Sequence, residues 1–107
     1  MALAVRMVNL YKYLTEEKRE YVLSKQILRS GTSVGAMVYE SEHSESTADF
    51  IHKLAIAQKE INETLYWLEL LSRTDYITPK EYDSIRTDAT EVIKLLTSIL
   101  KTIKKQQ

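Results

Sequence analysis

The C-terminal third of the chain constrains the fold most. From Tyr82 the apolar residues run Tyr82, Ile85, Ala89, Val92, Leu96, Ile99 and Ile103. They alternate spacings of three and four, a heptad pattern that only a long helix with one apolar seam can satisfy. The start of this helix is written just before it. Thr78 stands as N-cap, Pro79 at the first helical position and Glu81 three residues after the cap, which makes a capping box. Ile77 and Tyr82 are placed to close a hydrophobic staple over it. A helix with such a seam is unstable alone and needs apolar partners.

Three further segments supply them. Leu3, Met7, Leu10 and Leu14 form a stripe at spacings of four, three and four, widened by Val8 and Tyr11. After the polar run TEEKRE, a second helix is expected near Lys18 to Ser41, with Ile27, Leu28, Gly31, Val34 and Val38 on one side. The Ser- and Glu-rich segment SEHSEST breaks the pattern, and Ser46 with Asp49 forms a weaker capping box. The third helix, about Thr47 to Arg73, carries Phe50, Leu54, Ala57, Ile61, Leu65, Leu68 and Leu71 on one stripe. Ile56, Trp67 and Leu70 lie outside it, so its apolar arc is wide enough for more than one neighbour. Two glycines and one proline in 107 residues cannot supply the turns of a sandwich or barrel. The expectation is an all-α protomer, an antiparallel up-down-up-down four-helix bundle, with residues 1–107 as one domain.

Composition also narrows the chemistry. The absence of cysteine removes disulfides, thiolate zinc sites and cysteine nucleophiles. The longest apolar run, Met1 to Val5, is far short of the roughly 20 residues of a membrane span. MALAVR lacks the basic start and full apolar core of a secretory signal, so a cytoplasmic location without membrane contact is expected. Fifteen Lys and Arg balance fifteen Asp and Glu, which argues against a surface that grips nucleic acid throughout. The charges are nonetheless segregated. Between Gly31 and Ile51 the ionised residues are Glu40, Glu42, Glu45 and Asp49, whereas after Glu91 they are Lys94, Lys101, Lys104 and Lys105.

Candidate sites are few. Gly31 and Gly35, in RSGTSVGA, lack the strand and the Gly-Lys-Ser/Thr of a phosphate loop and are read as a place of close helix packing. Glu40/His43 and Asp49/His52 have the Glu-x-x-His type of spacing found in di-iron bundles, but they flank one loop instead of facing each other. They are read as solvated charges, as are Glu60 and Glu63. No catalytic residue, cofactor or metal ligand is assigned. Trp67 and Leu70 are candidates for an oligomer interface, and Lys101, Lys104 and Lys105 for a nucleic-acid contact or for favourable charges at a helix C-terminus. The seven tyrosines are read as amphipathic filler at helix and subunit interfaces.

Two long runs, YVLSKQILRSGTSVGAMVYES and ADFIHKLAIAQKEINETLYWLELL, followed by TDYIT and LLTSIL, closely resemble the bacterial four-helix-bundle proteins of the 23S ribosomal RNA intervening-sequence family. Little sequence precedes the first helix, which leaves room for a trimmed first helix or a different start. The resemblance implies a protomer that assembles into a ring or barrel, typically a homopentamer, and carries no catalytic residue. It also points to the accessory variability-determinant proteins of diversity-generating retroelements. Those relatives bind nucleic acid and a reverse transcriptase through a strongly basic surface, from which this neutral chain departs. The expected role is that of a non-enzymatic, self-assembling scaffold or adaptor, within an RNA- or DNA-associated complex. The alternatives are direct RNA or DNA binding through the C-terminal lysines and a metal-dependent enzyme built on the two histidine pairs.

Overall fold

Each break in the apolar stripes becomes a short connection between helices. A computed structural model describes residues 1–106, which form α1 (Ala2–Glu16), α2 (Leu23–Ser41), α3 (Thr47–Arg73) and α4 (Pro79–Gln106), with no strand among the described residues. Contacts between successive helices run in opposite order along the chain. Met7 and Ala4 of α1 meet the positions of Gly31 and Gly35. Arg29, Ser30 and Glu40 of α2 meet Glu63, Thr64 and Lys53 of α3. At one end of the bundle Leu68 and Leu71 of α3 share a core cluster with Ile85; at the other, Leu54 and Ala57 share one with Leu96 and Leu100. This is the order that an up-down-up-down bundle requires. Helix α1 packs on α2, α2 on α3 and α3 on α4, while α1 only grazes α4. Helices α2 and α4 do not adjoin, so they occupy diagonal corners.

The helix starts show which side chains act locally. At α4, the Thr78 N–H donates to Glu81 Oε1 at 2.9 Å and the Glu81 N–H to Thr78 Oγ1 at 3.1 Å, closing the box in both directions. Ile77 is buried and Tyr82 packs on the same cluster. At α3, Ser46 Oγ accepts from the Asp49 N–H at 3.1 Å. The shorter Asp49 carboxylate reaches back to the N–H of Glu45, at 3.3 Å, instead of that of Ser46.

Helix α2 begins later than the sequence pattern suggests, at Leu23 and not near Lys18. Arg19 takes a positive φ of 52°, which a helix cannot carry. The buried Glu20 carboxylate then accepts from the N–H groups of Val22 (2.7 Å), Leu23 (2.9 Å) and Ser24 (3.0 Å). One anion thus satisfies three otherwise unpaired donors at the positive end of the helix dipole. At the end of α3, Asp75 has φ 63° and Tyr76 N–H bonds back to Leu71 O at 3.0 Å, a Schellman-type ending.

Both left-handed positions are therefore held by Arg19 and Asp75, and neither glycine has a positive φ. The glycines serve space, not dihedral freedom. A Cβ on Gly31 would lie 2.5 Å from Met7 Sδ and 3.3 Å from Met7 Cβ, and Met7 is itself fully buried. At Gly35 the nearest atom would be Ala4 Cβ at 3.8 Å, an ordinary contact. The two glycines should therefore respond with opposite signs in denaturant melts. Gly31→Ala should lose about 1–3 kcal/mol through overpacking, whereas Gly35→Ala should gain about 0.5–1 kcal/mol from helix propensity. Glu20→Ala should cost about 1–2 kcal/mol, the range of a lost cap, measured by the same melts.

Candidate functional site

The polar groups that sequence reading singled out are engaged in holding helices together. Glu60 and Glu63 flank the α2–α3 seam, where Arg29 reaches across from α2. Its guanidinium bonds Glu60 Oε2 at 3.1 Å and, with its other terminal nitrogen, Glu63 Oε2. The hydrogen bond from Arg29 holds the Glu63 carboxyl below the ordinary carboxylate range, and desolvation only partly opposes it. The Arg29 guanidinium is pushed up in turn, mainly by its bond to Glu63. A general acid needs the opposite shift, toward neutrality, so this pair is a clamp in its chemistry. Beneath it Thr64 Oγ1 donates to Ser30 Oγ at 2.9 Å, a buried polar link between the same helices. Arg6 plays a similar part between α1 and α4, binding Asp88 Oδ2 at 2.6 Å and the Ser84 hydroxyl at 2.6 Å.

The histidine pairs lie around the α2–α3 connection. His43 sits edge-on to Tyr39, with ring centroids 5.6 Å apart, and His52 is exposed on α3. Among the described residues no group of three or more His, Asp or Glu side chains converges closely enough to hold a metal ion.

Trp67 and Leu70 are both half-buried. Trp67 packs against the core cluster at the α1–α2 end, edge-on to Tyr66 at 4.9 Å, and its Nε1 is buried without a hydrogen-bond partner. The more open apolar side chains are others, which the stripe analysis did not single out as surface. Val5 is 52% exposed, Tyr39 64%, Tyr66 59% and Leu95 61%. Exposure of this kind depends on which arc each neighbouring helix covers, and spacing alone does not say.

One apolar hollow follows from unequal helix lengths. Helix α1 has 15 residues and α4 has 28, roughly 22 Å against 42 Å. Beyond the first turn of α1, α2 and α4 enclose a groove of about 360 Å³ floored by Phe50 and Leu54 of α3. Val38, Val92, Leu95 and Ile99 form its walls, with Glu42 at its edge.

Lys101, Lys104 and Lys105 are exposed on the last turns of α4. Ile103 and Gln106 border the same hollow as Ser41, Glu42 and Ser44, so the basic and acidic segments of the sequence share one end of the bundle.

Four helices of these lengths in this order, with this seam, match a known family over nearly the whole chain. Residues 1–98 fit the model of the 23S rRNA-intervening sequence protein family. The chain belongs to that family. It is also similar to a crystallised protein of unknown function from the S23 ribosomal protein family of Bacteroides thetaiotaomicron. The two share 63% identity, with a TM-score of 0.93 over 94% of this chain and 93% of that one. No curated protein matches the chain significantly. The family model and the crystallised relative establish the fold and the kinship.

The Arg29 clamp generates an acid dependence. A carboxyl with a lowered folded-state pKa contributes stability above its unfolded value and loses it as pH falls through the folded one. The wild-type chain should therefore lose stability on acidification below about pH 4, and Arg29→Met should flatten that limb. Thermal melts of both proteins between neutral and acid pH check it.

Proposed function

We propose that the chain is a non-enzymatic building block of a homo-oligomer, a scaffold or adaptor acting in the cytoplasm. The observation that carries this reading is the open apolar surface. Val5, Tyr39, Tyr66 and Leu95 are each more than half exposed, on four different helices, and an apolar groove opens between α2 and α4. An apolar groove of this kind, bordered by the open Leu95, loses contact with water when copies associate. The engagement of Arg6, Arg29, Glu20, Glu60 and Glu63 in caps and clamps supports a structural role for the buried and seam-lying charges. The family resemblance adds an expectation of a ring, typically of five copies. Among the described residues no helix is long and apolar enough to cross a membrane.

A second reading, direct RNA or DNA binding, is favoured by the exposed Lys101, Lys104 and Lys105. Against it, Glu42 and its acidic neighbours lie at the same end of the bundle, so a phosphate backbone approaching the lysines meets carboxylates as well. Native mass spectrometry and sedimentation at micromolar concentration decide the first reading: an oligomer is expected, and a clean monomer overturns it. RNA retention on a filter decides the second. Binding that weakens with salt and falls when the three lysines become Gln would support it, and no salt-sensitive retention would remove it.

A further inference from the structure

We propose that copies of this chain join by seating the outer face of α1 of one copy in the apolar groove between α2 and α4 of the next. The inference rests on the self-assembly reading and adds which two surfaces meet. Helix α1 carries a second stripe besides the one that feeds the core. Met1, Val5, Val8 and Lys12 follow at spacings of four, three and four, on the side opposite Leu3, Met7, Leu10 and Leu14, and all four are exposed. Among the described residues α1 is the only helix that exposes more than one large apolar side chain. Helices α2, α3 and α4 expose Tyr39, Tyr66 and Leu95 singly. Single exposed apolar residues are ordinary on a surface, whereas Val5 and Val8 have the spacing by which a helix anchors in a groove.

The groove is what α1 leaves uncovered on α4. Arg6 ties α1 to Ser84 and Asp88. Leu95 lies on the same flank of α4, seven residues beyond Asp88, yet it stays 61% exposed. It borders the groove with Val38 across from it and Phe50 and Leu54 as floor. The lining holds one charged side chain, Glu42, and no Lys or Arg. Glu91 is exposed one turn from Leu95, so both lips are acidic. Lys94 lies about 100° round α4 from Leu95 and is outside the lining. The outer stripe of α1 brings the opposite charge. Lys12 stands one turn beyond Val8, and the first acid of the helix, Glu16, is its last residue. With Val5 and Val8 seated, Lys12 comes to the acidic lips, which exclude a neighbour that presents acid there. Among the described residues Lys12, Glu42 and Glu91 form no ion pair within one copy. Stripe and groove are different surfaces, so the contact is heterologous: it repeats from copy to copy and closes into a ring when the rotation permits.

The experiment is sedimentation velocity on two variants, alone and mixed. Val5→Glu/Val8→Glu spoils the stripe and keeps the groove, whereas Leu95→Glu spoils the groove and keeps the stripe. All three positions are exposed, and circular dichroism melts confirm that each variant is folded. Each variant alone should assemble about tenfold or more weakly than the wild type, because a carboxylate would be taken out of water without a partner. Mixed in equal amounts, the two should form a dimer of one copy of each and nothing larger, since one intact stripe and one intact groove remain between them. Lys12→Glu should weaken assembly about tenfold, by setting acid against the acidic lips. Wild-type assembly in either groove or stripe variant would overturn this interface while leaving self-assembly intact. So would a mixture that stays monomeric or grows beyond the dimer, or an unchanged affinity in Lys12→Glu. A monomeric wild-type chain would instead overturn the self-assembly reading itself.

Discussion

The bundle depends on the approach of α1 to α2 at Gly31. Helix α1 is the shortest of the four, and its backbone comes much closer to α2 than to α4, which it reaches mainly through Arg6. That closeness requires Met7 to lie where a Cβ on Gly31 would stand. Once α1 is seated, Met7, Leu10 and Leu14 meet Ile27, Leu68, Leu71, Ile77 and Ile85 in one cluster. The α1–α2 connection serves the same end. Arg19 turns the chain out of α1, and Glu20 starts α2 with its carboxylate on three N–H groups. The reversal is then short enough to lay α1 against the glycine face.

The same shortness of α1 gives the molecule its asymmetry. Beside the first turn of α1 an apolar groove opens between α2 and α4. The acidic and basic segments both come to this end of the bundle. The neutral total therefore includes an acidic and a basic segment that meet at one end, and the field there differs from that of a uniformly mixed surface.

Much of this was legible in the residues. The Thr78/Glu81 box, the start of α3 at Ser46 and the stripes of all four helices are local patterns, and the helices lie where those patterns place them. The start of α2 was not legible, because TEEKRE offers several acids and nothing in their spacing says that Glu20 turns inward. The positions of Trp67 and Leu70 were half legible. Their departure from the apolar stripe is plain, but Trp67 bends back onto the core cluster, while Tyr39, Tyr66 and Leu95 stay open. Glu60 and Glu63, read as solvated charges, join Arg29 in a clamp, because a partner 31 and 34 residues away lies beyond any local signal.

The sequence by itself determined that this chain is four amphipathic helices with few turns, and that its charges come in blocks. Helical period, capping chemistry and composition act over a few residues, so they can be read without knowing the fold. Only the tertiary structure decided that Gly31 is a socket for Met7 whereas Gly35 is nearly free. Only it showed that Glu20 is a cap, and that the acidic and basic segments share one end of the bundle. Those outcomes depend on the distance and phase between helices, which the packing of distant side chains sets.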